Sequence, residues 1–171
     1  MLHITLNQTS NQWMQFCFTD GFIKQDYVFS NDRFCLSDFI EMLYELKEHG
    51  KSYIYFYKEP GDYYLIFKKT NHHHIRYELR KYLHNPNPLT SLDFIEEEPG
   101  CSAIENDVDD DEWNYKIVMC GQTAWFPLIT TVNNILKEQH KTPFDEYLKN
   151  TSKEFPTKAY HQFKKWYTKN R

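Results

Sequence analysis

Apolar and polar residues alternate from the first positions of the chain: Leu2, Ile4 and Leu6 are separated by His3 and Thr5. A period of two marks a strand with one buried face. Residues 12–18 and 22–29 are rich in aromatic and β-branched side chains, and Asp20-Gly21 between them predicts a two-residue hairpin turn. The period then changes. Leu36, Phe39, Ile40, Leu43 and Leu46 recur at helical spacing. Ser37 is placed to cap that helix, and Gly50 to end it in the left-handed conformation. Residues 53–57 and 63–69 predict two strands, joined through Pro60-Gly61 in a type II turn. Residues 74–83 predict a third, with Ile75, Tyr77 and Leu79 facing inward and Arg76, Glu78 and Arg80 outward. These three read as an antiparallel meander.

No periodicity is visible from 84 to 112, which begins Asn85-Pro86-Asn87-Pro88. A connection of that length inside a compact domain is uncommon and is often functional. Trp113, Tyr115, Ile117 and Met119 then alternate as a last strand, which Gly121 is expected to end. Pro127 fits the first turn of a helix carrying Leu128, Val132, Ile135 and Leu136 on one face. Thr142-Pro143 opens a short helix with Phe144, Tyr147 and Leu148. Pro156 opens the last, with Ala159, Tyr160, Phe163, Trp166 and Tyr167. The expected fold is therefore α+β. It has an antiparallel sheet of about six strands with one inserted helix, and a helical C-terminal third at about 126–169. All 171 residues form a single domain in this reading.

Charge changes the picture. The formal net charge is only −4, but it is unevenly placed. Residues 1–92 hold ten acids and ten bases; residues 93–112 hold ten acids and no base; residues 113–171 hold four acids and ten bases. Like charges at that density repel and form a solvated or partner-binding segment. Phe94, Ile95 and Trp113 flank the acids and could serve as apolar anchors within a polar rim. The candidate partner-binding residues are Glu96, Glu97, Glu98, Asp107, Asp109, Asp110, Asp111 and Trp113.

Other chemistry finds little support. His72, His73 and His74 offer imidazoles that suit zinc, copper or nickel. No cysteine or carboxylate stands near them at a ligand spacing, and a polar turn accounts for them. Asp107, Asp109 and Asp111 alternate as in a calcium loop, but the sixth and twelfth positions are Glu112 and Val118 instead of Gly and Glu. Cys120 lacks a nucleophile signature, no serine sits in a GxSxG setting, and the five glycines are scattered. No catalytic residue, metal or cofactor is assigned. The C-terminal end, with Lys158, Lys164, Lys165, Lys169 and Arg171 among Tyr160, Trp166 and Tyr167, could bind nucleic acid. An amphipathic helix with its aromatics in the core accounts for the same residues. No apolar run approaches the length of a membrane span, and no export signal is visible. Cys17, Cys35, Cys101 and Cys120 are accordingly expected as free thiols in a reducing cytosol.

A motif-poor, aromatic-rich, acidic α+β chain of this size resembles the immunity proteins of bacterial polymorphic toxin and contact-dependent growth inhibition systems. The resemblance is one of overall type across the whole chain. It implies a cytoplasmic binding protein that occludes the active site of a cognate toxin domain, often a basic nuclease. Neither membrane nor nucleic acid is the expected partner. Two other readings stand beside it: a small metal-binding protein or enzyme built on His72, His73 and His74, and a nucleic-acid binder acting through the C-terminal helix.

Overall fold

The alternation at the start of the chain becomes an edge strand, β1 (His3–Gln8), of a seven-stranded antiparallel sheet in a computed structural model describing residues 1–8, 13–30, 34–58, 61–71, 73–82 and 115–170. The other strands are β2 (Trp13–Thr19), β3 (Lys24–Ser30), β4 (Lys51–Tyr57), β5 (Asp62–Lys69), β6 (His74–Tyr82) and β7 (Tyr115–Ala124). Their order across the sheet is their order in the chain. Four helices follow the predicted periodicities: α1 (Leu36–His49), α2 (Trp125–His140), α3 (Phe144–Thr151) and α4 (Thr157–Asn170). α1 packs against β4 and β5, and α2 against both edge strands, β1 and β7. The architecture is the expected α+β one.

Local details depart from the sequence expectation, each for a physical reason. The first hairpin closes with a loop of four residues, Asp20 to Ile23, rather than two. The Asp20 carboxylate accepts the backbone N–H groups of Phe22 and Ile23, both at 2.9 Å, and so stabilises the longer loop. Ser37 is not the cap of α1. The cap is Cys35, whose N–H donates to the Asp38 carboxylate at 2.8 Å, three residues on. Gly50 does end the helix in the left-handed region, with φ of 76°. The Pro60-Gly61 turn falls partly outside the described residues. Gly121 does not end the last strand, because β7 runs on to Ala124. Gly121 pairs with Tyr77, whose ring lies over it. A Cβ on Gly121 would sit 2.6 Å from the Tyr77 hydroxyl oxygen. The glycine makes room for a buried tyrosine.

The sheet is joined unevenly. β1, β2 and β3 form one continuous ladder, and β4 to β7 another. Between β3 and β4 the only paired residues among those described are Ser30 and Tyr57. Aromatic side chains fill the seam where backbone pairing is nearly absent. Phe29 stacks on Phe56 with ring centres 4.7 Å apart, and Phe16 lies 4.9 Å from Phe56. Tyr27 and Phe29 each reach Tyr63, at 5.1 and 5.2 Å. Phe34 and Phe39, at the start of α1, close the cluster from the helical side. Phe16, Phe29, Phe39 and Phe56 are fully buried. Such ring pairs contribute about 0.5–1.5 kcal/mol each beyond their area burial.

Cysteine chemistry also departs from expectation. Cys17 and Cys35 are free thiols, but Cys120 is disulfide-bonded. Wide spacing in sequence carries no information about distance in space, so the expectation of four thiols fails at this residue. Among the described residues no helix is long and apolar enough to cross a membrane.

Candidate partner-binding surface

Glu96, Glu97, Glu98, Asp107, Asp109, Asp110, Asp111 and Trp113 all lie outside the described residues. Their attachment, however, is defined. β6 ends at Tyr82 and β7 begins at Tyr115, and these two residues are direct partners across the ladder. The 32 residues from 83 to 114 therefore leave and return at one end of a strand pair, tethered at both ends to the sheet.

The sheet face away from the helices meets that end. Antiparallel partners share a face, so register identifies its rows. Tyr57, Asp62, Tyr82 and Tyr115 form the row nearest the tether, then Tyr55, Tyr64, Arg80 and Ile117, then Tyr53, Ile66, Glu78 and Cys120. Six tyrosines thus share one face with a guanidinium. Tyr64 lies 5.1 Å from Tyr55 and 5.2 Å from Tyr82, and Tyr82 lies 5.2 Å from Tyr115. The Tyr55 hydroxyl donates to Asp62 at 2.7 Å. Tyr53, Tyr55, Tyr57 and Tyr115 are half-buried, whereas Tyr64 and Tyr82 at the middle of the face are buried.

At the centre of this face are two charges that the alternation pattern assigned to the outside. Glu78 is 2% exposed and Arg80 1%. Arg80 donates from Nε at 2.9 Å and from Nη2 at 2.6 Å to one Glu78 oxygen. Arg76 approaches the other oxygen at 3.4 Å. The Arg80 guanidinium also lies 4.5 Å from the centre of the Tyr115 ring, within cation–π range. Burial works against the charge on Arg80, but the Glu78 carboxylate, together with Tyr82 and Tyr115, outweighs it and holds the guanidinium above its ordinary pKa. Period-two reasoning placed these residues correctly on the far face but wrongly in the open. A buried charge persists where a partner is hydrogen-bonded to it. The i, i+2 spacing of Glu78 and Arg80 on one strand face was the available signal.

Burial raises the pKa of Tyr27 to about 12, with Tyr63 adding to the shift. It raises Tyr64, Tyr77 and Tyr147 further. These phenols stay protonated in the fold at pH values where an unfolded tyrosine, near 10, has ionised. The unfolded state then binds fewer protons than the native state, so stability falls as pH rises above about 10. The part of the tyrosinate absorbance near 295 nm that belongs to these buried phenols is expected to appear together with the loss of far-UV circular dichroism. Ionisation of every tyrosine with secondary structure intact would contradict the burial.

The remaining candidates resolve differently. His72 lies outside the described residues; His73 stands in an exposed turn and exposed His74 opens β6, and the Asn71 side-chain oxygen accepts both backbone N–H groups at 2.9 Å. Among the described residues no group of three or more His, Cys, Asp and Glu could hold a metal ion. On α4, Tyr160 and Phe163 are buried, and Trp166 packs 5.1 Å from Tyr44 and 6.0 Å from Trp125. The aromatics of the basic helix are thus committed to the core side. Comparison with known protein families, curated proteins and solved structures finds no match to this chain.

Proposed function

We propose that this chain is an immunity-type binding protein that neutralises a cognate toxin domain by covering a basic active site with its acidic segment. Glu96, Glu97, Glu98, Asp107, Asp109, Asp110, Asp111 and Trp113 are the contacts in this reading. The observation that supports it is the tether. Ten acids without a base belong to a segment held at both ends by the Tyr82–Tyr115 pair, beside a face of tyrosines. Anchoring both ends lowers the entropy lost when the segment is ordered against a partner, and concentrated acids accelerate encounter with a basic surface. The reading sets the protein in the cytoplasm, where a disulfide at Cys120 would have to resist reduction.

The test is protection. The toxin domain to use is the variable C-terminal domain of a large secreted protein encoded immediately upstream. Co-expression of the chain with that domain should restore growth. Replacing Asp107, Asp109, Asp110 and Asp111 with asparagine should weaken the complex at least tenfold, about 1.4 kcal/mol, mostly through slower association at low salt. Unchanged affinity and unchanged salt dependence in that variant would remove the acidic segment from the mechanism.

A further inference from the structure

The end of the sheet opposite the tether is basic. β4 begins there at Lys51, β5 ends there at Lys68 and Lys69, and α1 ends two residues after Lys47. Register places Lys69, Ile75 and Thr123 in one row, on the face where Ile75 and Thr123 are buried. α2 starts two residues beyond Thr123, at Trp125. The acids closest to Lys47 in the chain are Glu45 and Glu48, and Glu45 already accepts the Ser52 hydroxyl at 3.0 Å.

Two ammonium groups meet here over two indoles. Lys69 donates to the Lys47 carbonyl at 2.8 Å and lies 5.2 Å from the centre of the Trp125 ring. Lys47 lies 5.4 Å from the centre of the Trp166 ring and donates to the Asn170 side-chain oxygen. The two indoles are 6.0 Å apart. The rings hold the ammoniums in place, yet no carboxylate pairs with either lysine among the described residues. An ammonium keeps donors beyond these single bonds. Burial and the neighbouring Lys47 both depress the pKa of Lys69, and no acid offsets them.

Two further groups stand beside this pair. The Thr123 side chain is 4% exposed, and its hydroxyl has no hydrogen-bond partner among the described residues. A buried hydroxyl in that state needs a reason. α2 begins without a side-chain cap, because its N-cap is Ala124, and without an acid in its first turn. Pro127 withholds one N–H, leaving those of Trp125 and Phe126 at the positive end of the helix dipole.

We propose that this end of the sheet binds a phosphate group, free or as a monoester, between Lys47, Lys69 and the start of α2, with the Thr123 hydroxyl as a further donor. Phosphate carries about two negative charges near neutral pH and so balances both ammoniums, whereas a carboxylate carries one. Helix N-termini bind such groups through the same N–H donors. Binding draws the Lys69 ammonium from the Lys47 carbonyl to the ligand, and that movement opens Thr123 to it. Phe126, 54% exposed at the second position of α2, offers a surface for the organic part of a monoester. Trp125 and Trp166 are packed on each other, and Trp166 on Tyr44, so these rings position ammoniums instead of stacking the bases of a nucleic-acid strand. The inference is independent of the acidic segment, which leaves the sheet at its other end.

The test is an NMR titration of the intact chain with inorganic phosphate, adenosine monophosphate and acetate at constant ionic strength. Phosphate should give saturable shifts at Lys69, Thr123, Phe126 and the Trp125 and Trp166 indole N–H groups, with a dissociation constant of about 1 mM or below. Acetate should bind at least about tenfold more weakly. Tighter binding of adenosine monophosphate, with larger shifts at Phe126, identifies the ligand as a monoester; weaker binding identifies it as free phosphate. Lys47→Gln, at an exposed position, and Lys69→Gln should each keep the circular dichroism and weaken phosphate by about fivefold or more. Thr123→Val removes an unpartnered hydroxyl, so it should leave thermal stability at or above that of the parent while weakening phosphate by about threefold. Acetate binding as tightly as phosphate, affinity unaltered in any of the three variants, shifts confined to other residues, or no saturable shift would each overturn the proposal.

Discussion

Replacing Arg80 with alanine is expected to lower the unfolding free energy by about 3–5 kcal/mol, because it leaves a carboxylate buried without its main partner. Glu78 would retain only Arg76, 3.4 Å from one oxygen. The oxygen that now accepts two guanidinium hydrogen bonds, at 2.9 and 2.6 Å, would have lost both. The Tyr115 ring would lose its stacked cation as well. Urea unfolding followed by circular dichroism measures the change. Simple loss of packing would predict a deficit of similar size, so a second variant separates the causes. Replacing both charges by apolar residues of similar volume, Glu78→Leu with Arg80→Met, should recover most of the loss and can exceed the parent stability. If the double variant is as unstable as Arg80→Ala, the penalty comes from the space Arg80 fills and not from the orphaned charge.

Phe56→Ala is expected to cost about 3–5 kcal/mol, and to cost it unevenly across the molecule. Phe56 is fully buried and touches Phe16, Phe29 and Phe34, with ring centres 4.9, 4.7 and 5.5 Å away. It sits on β4 one residue from the single pair joining β3 to β4. Because only one residue pair crosses that seam among the described residues, the attachment between β1–β3 and β4–β7 falls to ring packing and to α2, which packs on both edge strands. Native-state hydrogen exchange should therefore show β1–β3 losing protection first, as a separate opening unit, while β5 and β6 keep theirs. Phe56→Leu, which retains most of the volume, should cost clearly less. A uniform loss of protection, or a cost below ~1.5 kcal/mol, would show that the seam is held by something other than this cluster.

The proposed partner-binding residues were legible only as composition. Ten acids without a base between 93 and 112 are visible in any reading of the chain, but composition does not say what holds them. The tether does, and it depends on Tyr82 and Tyr115 being direct partners across more than thirty intervening residues. No local pattern predicts a pairing at that separation. The packing of α2 against β1 is harder still to read from sequence. The Gln139 bond to Leu6 spans 133 positions.

The α+β class, the four helices and the strands followed from periodicity, because burying one face of a helix or strand imposes a period of 3.6 or 2 on the chain itself. Gly50 was readable for the same reason: a left-handed cap is a local backbone demand. Tertiary structure decided the rest. Arg80 and Glu78 looked like water-facing positions because alternation reports which face a residue occupies but not whether that face is covered. Gly121 looked like a stop because its reason for being glycine, the Tyr77 ring, belongs to another strand. Cys120 looked like a thiol because sequence separation does not measure distance. Local conformational preference is written into neighbouring residues, whereas contact between distant ones exists only once the chain has folded.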